Sequence, residues 1–180
     1  MRAWPVLFAL CVGLTAQADE VRICYNYDCA VGAAVELDEN VLHTVGRMLL
    51  RSDDAARERE TIALAIGLFE VFAGQQTPTW ADKGRNADDD GVDGRMDCID
   101  ESTNASSYLR LLENKGWLKF HRVLEPLKRA PRLLDDHWAA RIVENKTGQE
   151  FAVDSWFFDN GQPAFVVPLE EWRNGAEPNE

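Results

Sequence analysis

Beyond its first eighteen residues the chain has no apolar run long enough to cross a bilayer, a task that takes about 20 residues. It is short of cations: 19 Lys and Arg stand against 31 Asp and Glu, a formal net charge of −12. That deficit argues against non-specific binding to nucleic acid or to an anionic membrane, where the protein must supply the positive charge. There is no internal repeat and no low-complexity tract, so solenoids and compositionally disordered chains are excluded. Histidine is scarce at 3 residues and cysteine at 4, which leaves few groups for thiol, imidazole or zinc chemistry.

What is present begins with MRAWPVLFALCVGLTAQA: an early charge at Arg2, an apolar stretch from Trp4 to Thr15, and the small-x-small ending Ala16-Gln17-Ala18. This is the form of a secretory signal peptide, with a buried N-terminal helix as the alternative. Cys11 follows Leu10 in mid-run, a poor context for a lipoprotein anchor. Loss of residues 1–18 leaves a single domain, residues 19–180, with a net charge of −13 once Arg2 is gone. A secreted or periplasmic location is expected.

In an oxidising compartment close cysteines pair. Cys24 and Cys29 bracket the short loop CYNYDC and are expected to form a disulfide. Pairing of either with Cys98 is the rival, because connectivity cannot be read from spacing. The expected pairing leaves Cys98 over, and an odd cysteine in an exported chain points to a reactive or intermolecular thiol.

Periodicity places the elements. Val21–Tyr25 and Ala30–Leu37 look extended around the disulfide loop. Residues 38–50 carry Val41, Leu42, Val45, Met48 and Leu49 at helical spacing. A second helix starts near Ser52-Asp53, keeps Ile62, Ala65, Ile66, Phe69 and Phe72 on one face, and stops near Gly74. Its charged start, RERE, reads as solvated, and the segment as core packing without chemistry. Residues 75–96 form a long irregular stretch, and such loops are usually functional or disordered. A third helix follows from Asp97 to about Asn114, with Gly116 at its stop. WLKFHRVL alternates like a strand, with Leu118, Phe120, Arg122 and Leu124 on one side, and residues 126–136 read as a connection. HWAARIVE, NKTG and QEFAVDSW give a hairpin signal. The tail from Asn174 is polar and expected to fray. Helices first, then one helix, then strands indicate an α+β fold rather than an alternating α/β one.

A thiol nucleophile needs a helix N-terminus or a cation to favour the thiolate, a base within reach, and a group to orient the base. Asp97 is a good N-cap with Asp100 three residues on, as in a capping box, which puts Cys98 in the first helical turn. Asp97, Asp100 and Glu101 oppose that benefit, since like charge disfavours the thiolate. An imidazolium is therefore required. His43 sits in the first helix as a surface or packing residue, and His121 lies in a basic strand without an obvious orienting group. His137 opens one hairpin strand and Asp154 lies in the next. If the loop is the four residues 145–148, Glu144 faces Gln149, His137 faces Trp156, and Asp154 is a diagonal neighbour on the same face. A three-residue loop would turn Asp154 to the other face. An aspartate within FAVDSWFF suits burial against a histidine partner, with an outward or loop-capping aspartate as the alternative.

Taken together, DCIDESTNASSYLRLL, HWAARI thirty-nine residues after the cysteine and VDSWF seventeen further on resemble the transglutaminase-like branch of the papain-like cysteine peptidases. DCID is similar to the DCxD of bacterial transglutaminase-like cysteine peptidases. The resemblance covers about residues 97–157. It implies N-terminal helices, a nucleophile helix packed on an antiparallel sheet, and a triad of Cys98 as nucleophile, His137 as base and acid, and Asp154 as orienter. It implies a peptide or protein substrate and no cofactor. Gln75, Gln76 and Trp80 are candidates for the oxyanion donor.

NADDDGVDGRMD places Asn86, Asp88, Asp90, Gly91 and Asp97 in a pattern similar to an EF-hand calcium loop, with a solvated acidic turn as the alternative. Four functions follow. The first is a thiol hydrolase or acyltransferase acting on amides. The second is a non-catalytic extracytoplasmic binding module on the same fold. The third is a calcium-ordered interaction domain. The fourth, a metal site at Cys98 and His137, lacks a second ligand pair at suitable spacing.

Overall fold

The computed structural model describes residues 19–86, 89–130 and 136–179. The expected signal segment lies outside the described residues. β1 (Asp19–Tyr25) and β2 (Val31–Leu37) form an antiparallel ribbon. Helix α1 (Glu39–Leu50) starts at Asp38, whose carboxylate accepts the Asn40 N–H at 2.7 Å. Helix α2 (Ala55–Gln76) starts at Asp54, which accepts the Arg57 N–H at 2.7 Å. The apolar faces are those of the sequence pattern, with Val45, Leu49, Ile62, Ile66 and Phe69 buried. α2 runs through Gly74, past its expected stop. A Cβ there would come 3.1 Å from the Trp80 backbone, so this glycine serves the close approach of a 3₁₀ turn (Pro78–Ala81) rather than helix termination.

Helix α3 (Cys98–Asn114) ends where expected, with Gly116 at a φ of +69°. It lies between the β1–β2 ribbon and a four-stranded antiparallel sheet of β3 (His121–Arg129), β4 (His137–Glu144), β5 (Glu150–Asp154) and β6 (Phe165–Pro168), ordered as in sequence. One core cluster joins the ribbon, α1 to α3 and one face of the sheet. A smaller one, with Ala139, Ala152 and Val167, lies under the short helix α4 (Leu169–Arg173). The fold is α+β, as expected. Among the described residues no helix is long and apolar enough to cross a membrane.

The β4–β5 hairpin has the four-residue register. Ala140 faces Val153, Val143 faces Glu150, and the Glu144 N–H donates to the Gln149 carbonyl at 2.8 Å. His137, first in β4, and Asp154, last in β5, thus lie at the same end of the sheet.

β3 keeps the expected alternation, with His121 and Val123 on the buried side and Arg122 exposed. It departs in length, continuing with an irregularity between Leu124 and Leu127 to Arg129, into the segment read as a connection. The side that faces in is set by Glu58, fully buried in the supposedly solvated start of α2. Its carboxylate accepts the N–H groups of Lys119, Phe120 and His121 at 2.7 to 3.0 Å and the His121 ring Nδ1 at 2.9 Å, drawing His121 inward. Arg59 can only donate, so at 3.2 Å His121 Nε2 accepts from it and Nδ1 carries the proton to Glu58. The Arg59 guanidinium also pairs with Glu144 at 3.1 Å. The expected fraying of the tail is not found up to Glu177: Arg129 Nη1 donates to the carbonyls of Trp172 (2.5 Å) and Ala176 (3.2 Å), and Arg85 pairs with Glu177 (2.6 Å).

Candidate active site

Cys24 and Cys29 are bonded to each other and Cys98 is free. Cys98 opens α3 behind a complete capping box: Asp97 Oδ1 accepts the Ile99 and Asp100 N–H groups at 2.9 Å, and Asp100 accepts back from the Asp97 N–H at 3.3 Å.

The acids beside the thiol have a second task. Asn26, Tyr27, Asp28 and Cys29 all have positive φ, between 51° and 71°. Left-handed backbone costs a non-glycine residue about 1–2 kcal/mol, so a run of them needs outside support. Asp100 supplies it by accepting the N–H groups of Tyr27 (2.8 Å) and Cys29 (2.7 Å), and Asp97 accepts that of Asp28 (3.0 Å). The disulfide loop is thereby seated on the first turn of α3. Burial first, and then the charge of Asp97, push Asp100 up to about 6, against the pull of these amides. Glu101 turns inward to Ser155 and, desolvated and facing Glu70 and Asp82, is raised well above the ordinary glutamate value. It is therefore not the anion beside the thiol that its position in sequence suggests.

His137 is buried in an aromatic box, with ring centroids 4.9 Å from Trp156, 5.5 Å from Phe157 and 5.8 Å from Trp172. Its Nε2 lies 2.7 Å from Asp154 Oδ2, which also accepts the indole N–H of Trp172 at 2.7 Å. Asp154 is 1% exposed, so the paired, buried reading holds and the outward one does not. With Nε2 committed, Nδ1 is the nitrogen left for Cys98. Burial pulls the imidazole pKa down, but hydrogen bonds to Asp154 and to Cys98, with their negative charge, outweigh it and push the value up to about 9. Cys98 and His137 share a cleft of about 320 Å³ with Arg85, Arg129, Trp156 and Phe157. A larger cleft of about 670 Å³ beside Arg59 and Lys119 has no thiol in its wall, so size does not mark the chemistry here.

The expected oxyanion candidates are elsewhere. Gln76 is tied to the Glu36 N–H and carbonyl at 3.0 and 2.8 Å, Gln75 lines the same distant surface, and Trp80 is 70% exposed on the 3₁₀ turn. Among the described residues the Cys98 N–H has no acceptor, and an amide free at a helix start can meet a developing oxyanion. Of the suspected calcium ligands, Asp88 lies outside the described residues and Asp90 is exposed. Asn86 donates to Asp82 and Asp89 at 3.0 and 2.7 Å, and Asp97 has both oxygens on backbone amides. Asp97 is spent on the helix start, which its place in the acidic run does not disclose.

Sequence reasoning missed Trp172, hidden in the amphipathic tail LEEWR, and Arg129, placed in a connection. It also missed a buried acid cluster. Glu70 accepts the Gly161 N–H at 3.0 Å, and Asp82 accepts the Met96 N–H at 2.5 Å. Desolvation raises Glu70 to about 8 and Asp82 to about 7, beside Glu101. A carboxyl whose folded pKa is raised contributes stability that is full below its unfolded value near 4 and is lost as pH rises through the folded value. The protein is thus expected to lose thermal stability from pH 5 to pH 9, read by calorimetry. Glu101→Gln, neutral at every pH, should flatten that slope, and an equal slope in the variant would refute the assignment.

No family model, no curated protein and no solved structure matches the chain.

Proposed function

We propose that the protein is an exported thiol-dependent hydrolase or acyltransferase on peptide or protein amides, of the transglutaminase-like type. The observation that carries this is the buried His137–Asp154 bond of 2.7 Å on the cleft that also holds Cys98. Export is supported by the Cys24–Cys29 bond, which suits an oxidising compartment.

In this reading Cys98 gives its proton to Nδ1 of His137, and Asp154 stabilises the resulting imidazolium. The thiolate attacks the amide carbonyl carbon. The oxyanion takes the free Cys98 N–H, and His137 returns the proton to the leaving amine as the C–N bond breaks. A thioester remains on Cys98. Water, deprotonated by His137, releases the acid; an amine in its place gives transfer. The alternative, a non-catalytic binding module on the same fold, rested on acids crowding the thiol and on the lack of a placed oxyanion donor. Against it stand the inward turn of Glu101 to Ser155 and the Cys98 N–H without an acceptor among the described residues, while Asp97 and Asp100 remain beside the thiol.

The test is acylation by an activated ester, followed by intact mass, with and without an added amine. A wild-type adduct that turns over and is absent in Cys98→Ala supports the proposal; no adduct defeats it. The pH profile gives a sharper check. The cation at His137 persists until pH rises through about 9, so activity should have an alkaline limb there. Asp154→Asn removes the charge that raises it, and the limb should fall towards the ordinary histidine value of about 6.5. A limb unmoved in that variant would separate it from His137.

A further inference from the structure

Arg129 is 6% exposed, yet among the described residues no carboxylate pairs with it. Its Nη1 is used by the carbonyls of Trp172 and Ala176 at the C-terminal end of α4. Those account for two of a guanidinium's five donors. Nε is buried without an acceptor, and Nη2 meets none among the described residues. A buried, unneutralised cation is costly, and such groups are usually paired. The anions on the same cleft are engaged elsewhere: Glu177 is held by Arg85 at 2.6 Å and Asp136 by Lys128 at 2.5 Å. Asp97 has both oxygens on backbone amides. The planar side chain is braced from behind, with its carbon centre 4.8 Å over the Trp172 ring and 5.9 Å from that of Phe157. Trp172 is the residue that also orients Asp154. A helix C-terminus explains the use of Nη1. It does not explain a guanidinium lining the thiol cleft whose Nε and Nη2 meet no acceptor among the described residues.

We infer that Arg129 is a substrate-binding residue, the recognition point for a carboxylate on the acyl substrate close to the scissile amide. This rests on the proposed thiol chemistry and names its substrate class. The carboxylate could be a peptide's free C-terminus or an acidic side chain; the guanidinium fork would serve both in the same way.

Iodoacetate and iodoacetamide differ in just this group, so their rates of alkylating Cys98 report on it. In the full-length wild-type protein at pH 7, iodoacetate should be favoured relative to iodoacetamide in spite of the net charge of −12. The rate ratio should fall roughly tenfold or more in Arg129→Met, the size expected for one charge-assisted hydrogen bond. It should fall less in Arg129→Lys. A ratio unchanged in a folded Arg129→Met protein overturns the inference. If that variant does not fold, protection of the wild type decides: acetate should slow labelling by iodoacetamide, whereas acetamide and matched sodium chloride should not. Equal protection by acetate and chloride overturns it. Slow labelling by both reagents, with a ratio that still follows Arg129, would defeat the hydrolase reading and leave the anion site standing. Peptides with a free C-terminus, the same peptides amidated, and amidated peptides with an internal Asp then separate the two sources by which are cleaved.

Discussion

His137→Ala should lower iodoacetamide labelling of Cys98 at pH 6–7 by roughly 100-fold or more, the lower range for losing a positioned acid–base partner. The thiol cannot rely on its helix. An exposed helix terminus is worth about 0.3–1 kcal/mol, and Asp97 and Asp100 stand at the same end. The imidazole is the cation placed to take the thiol's proton, held by Asp154 and shielded by Trp156, Phe157 and Trp172. The raised histidine also contributes stability, full below about 6.5 and lost as pH rises through about 9, so the variant should melt somewhat lower at neutral pH. Rates by mass spectrometry between pH 5 and 8, on protein shown to be folded by circular dichroism, check this. Equal labelling of variant and wild type would remove the ion pair from the mechanism.

Glu58→Ala should destabilise the protein by about 3–5 kcal/mol, the range for removing one partner of a buried ionic network. Lys119, Phe120 and His121 lose the acceptor for their backbone N–H groups and His121 loses the partner of Nδ1, the His121 groups being buried. For a domain of this size the melting temperature should drop by roughly 6–20 °C. Glu60→Ala, two residues away on the exposed side and paired with Arg57, should change stability by under about 0.5 kcal/mol. Urea denaturation of the two variants gives the comparison. Similar small losses in both would mean that Glu58 does not anchor the start of β3.

The contrast between these two glutamates shows what can be read from a sequence. Period, caps and turn residues are local, and they place α1, α2, α3 and the β4–β5 hairpin well. Register then follows from the loop 145–148, and with it the pairing of His137 with Asp154. Burial of acids is not local. Glu58, Glu70 and Glu101 sit in segments whose neighbours suit either solvent or core, and charged residues are rarely inside. Only the approach of β3 and of residues 155–161 from far along the chain takes them out of water. WLKFHRVL has apolar residues on both alternating faces, so its phase was undetermined until Glu58 claimed His121. The loop at Cys24–Cys29 was legible as a disulfide but not as a left-handed turn, since none of its residues is glycine and its conformation depends on Asp97 and Asp100.

The indole of Trp172 ties Asp154 to a helix that follows the whole sheet in sequence, while Tyr27 and Cys29 reach the start of α3 from the other end of the described chain. Contacts this distant close late, because the entropy of joining remote segments is met before they are rewarded. The hairpin can pair His137 with Asp154 early, whereas the second bond to Asp154, from Trp172, forms only once the helix after the sheet has docked, so the rigidity of that pair is set by the last described helix to pack.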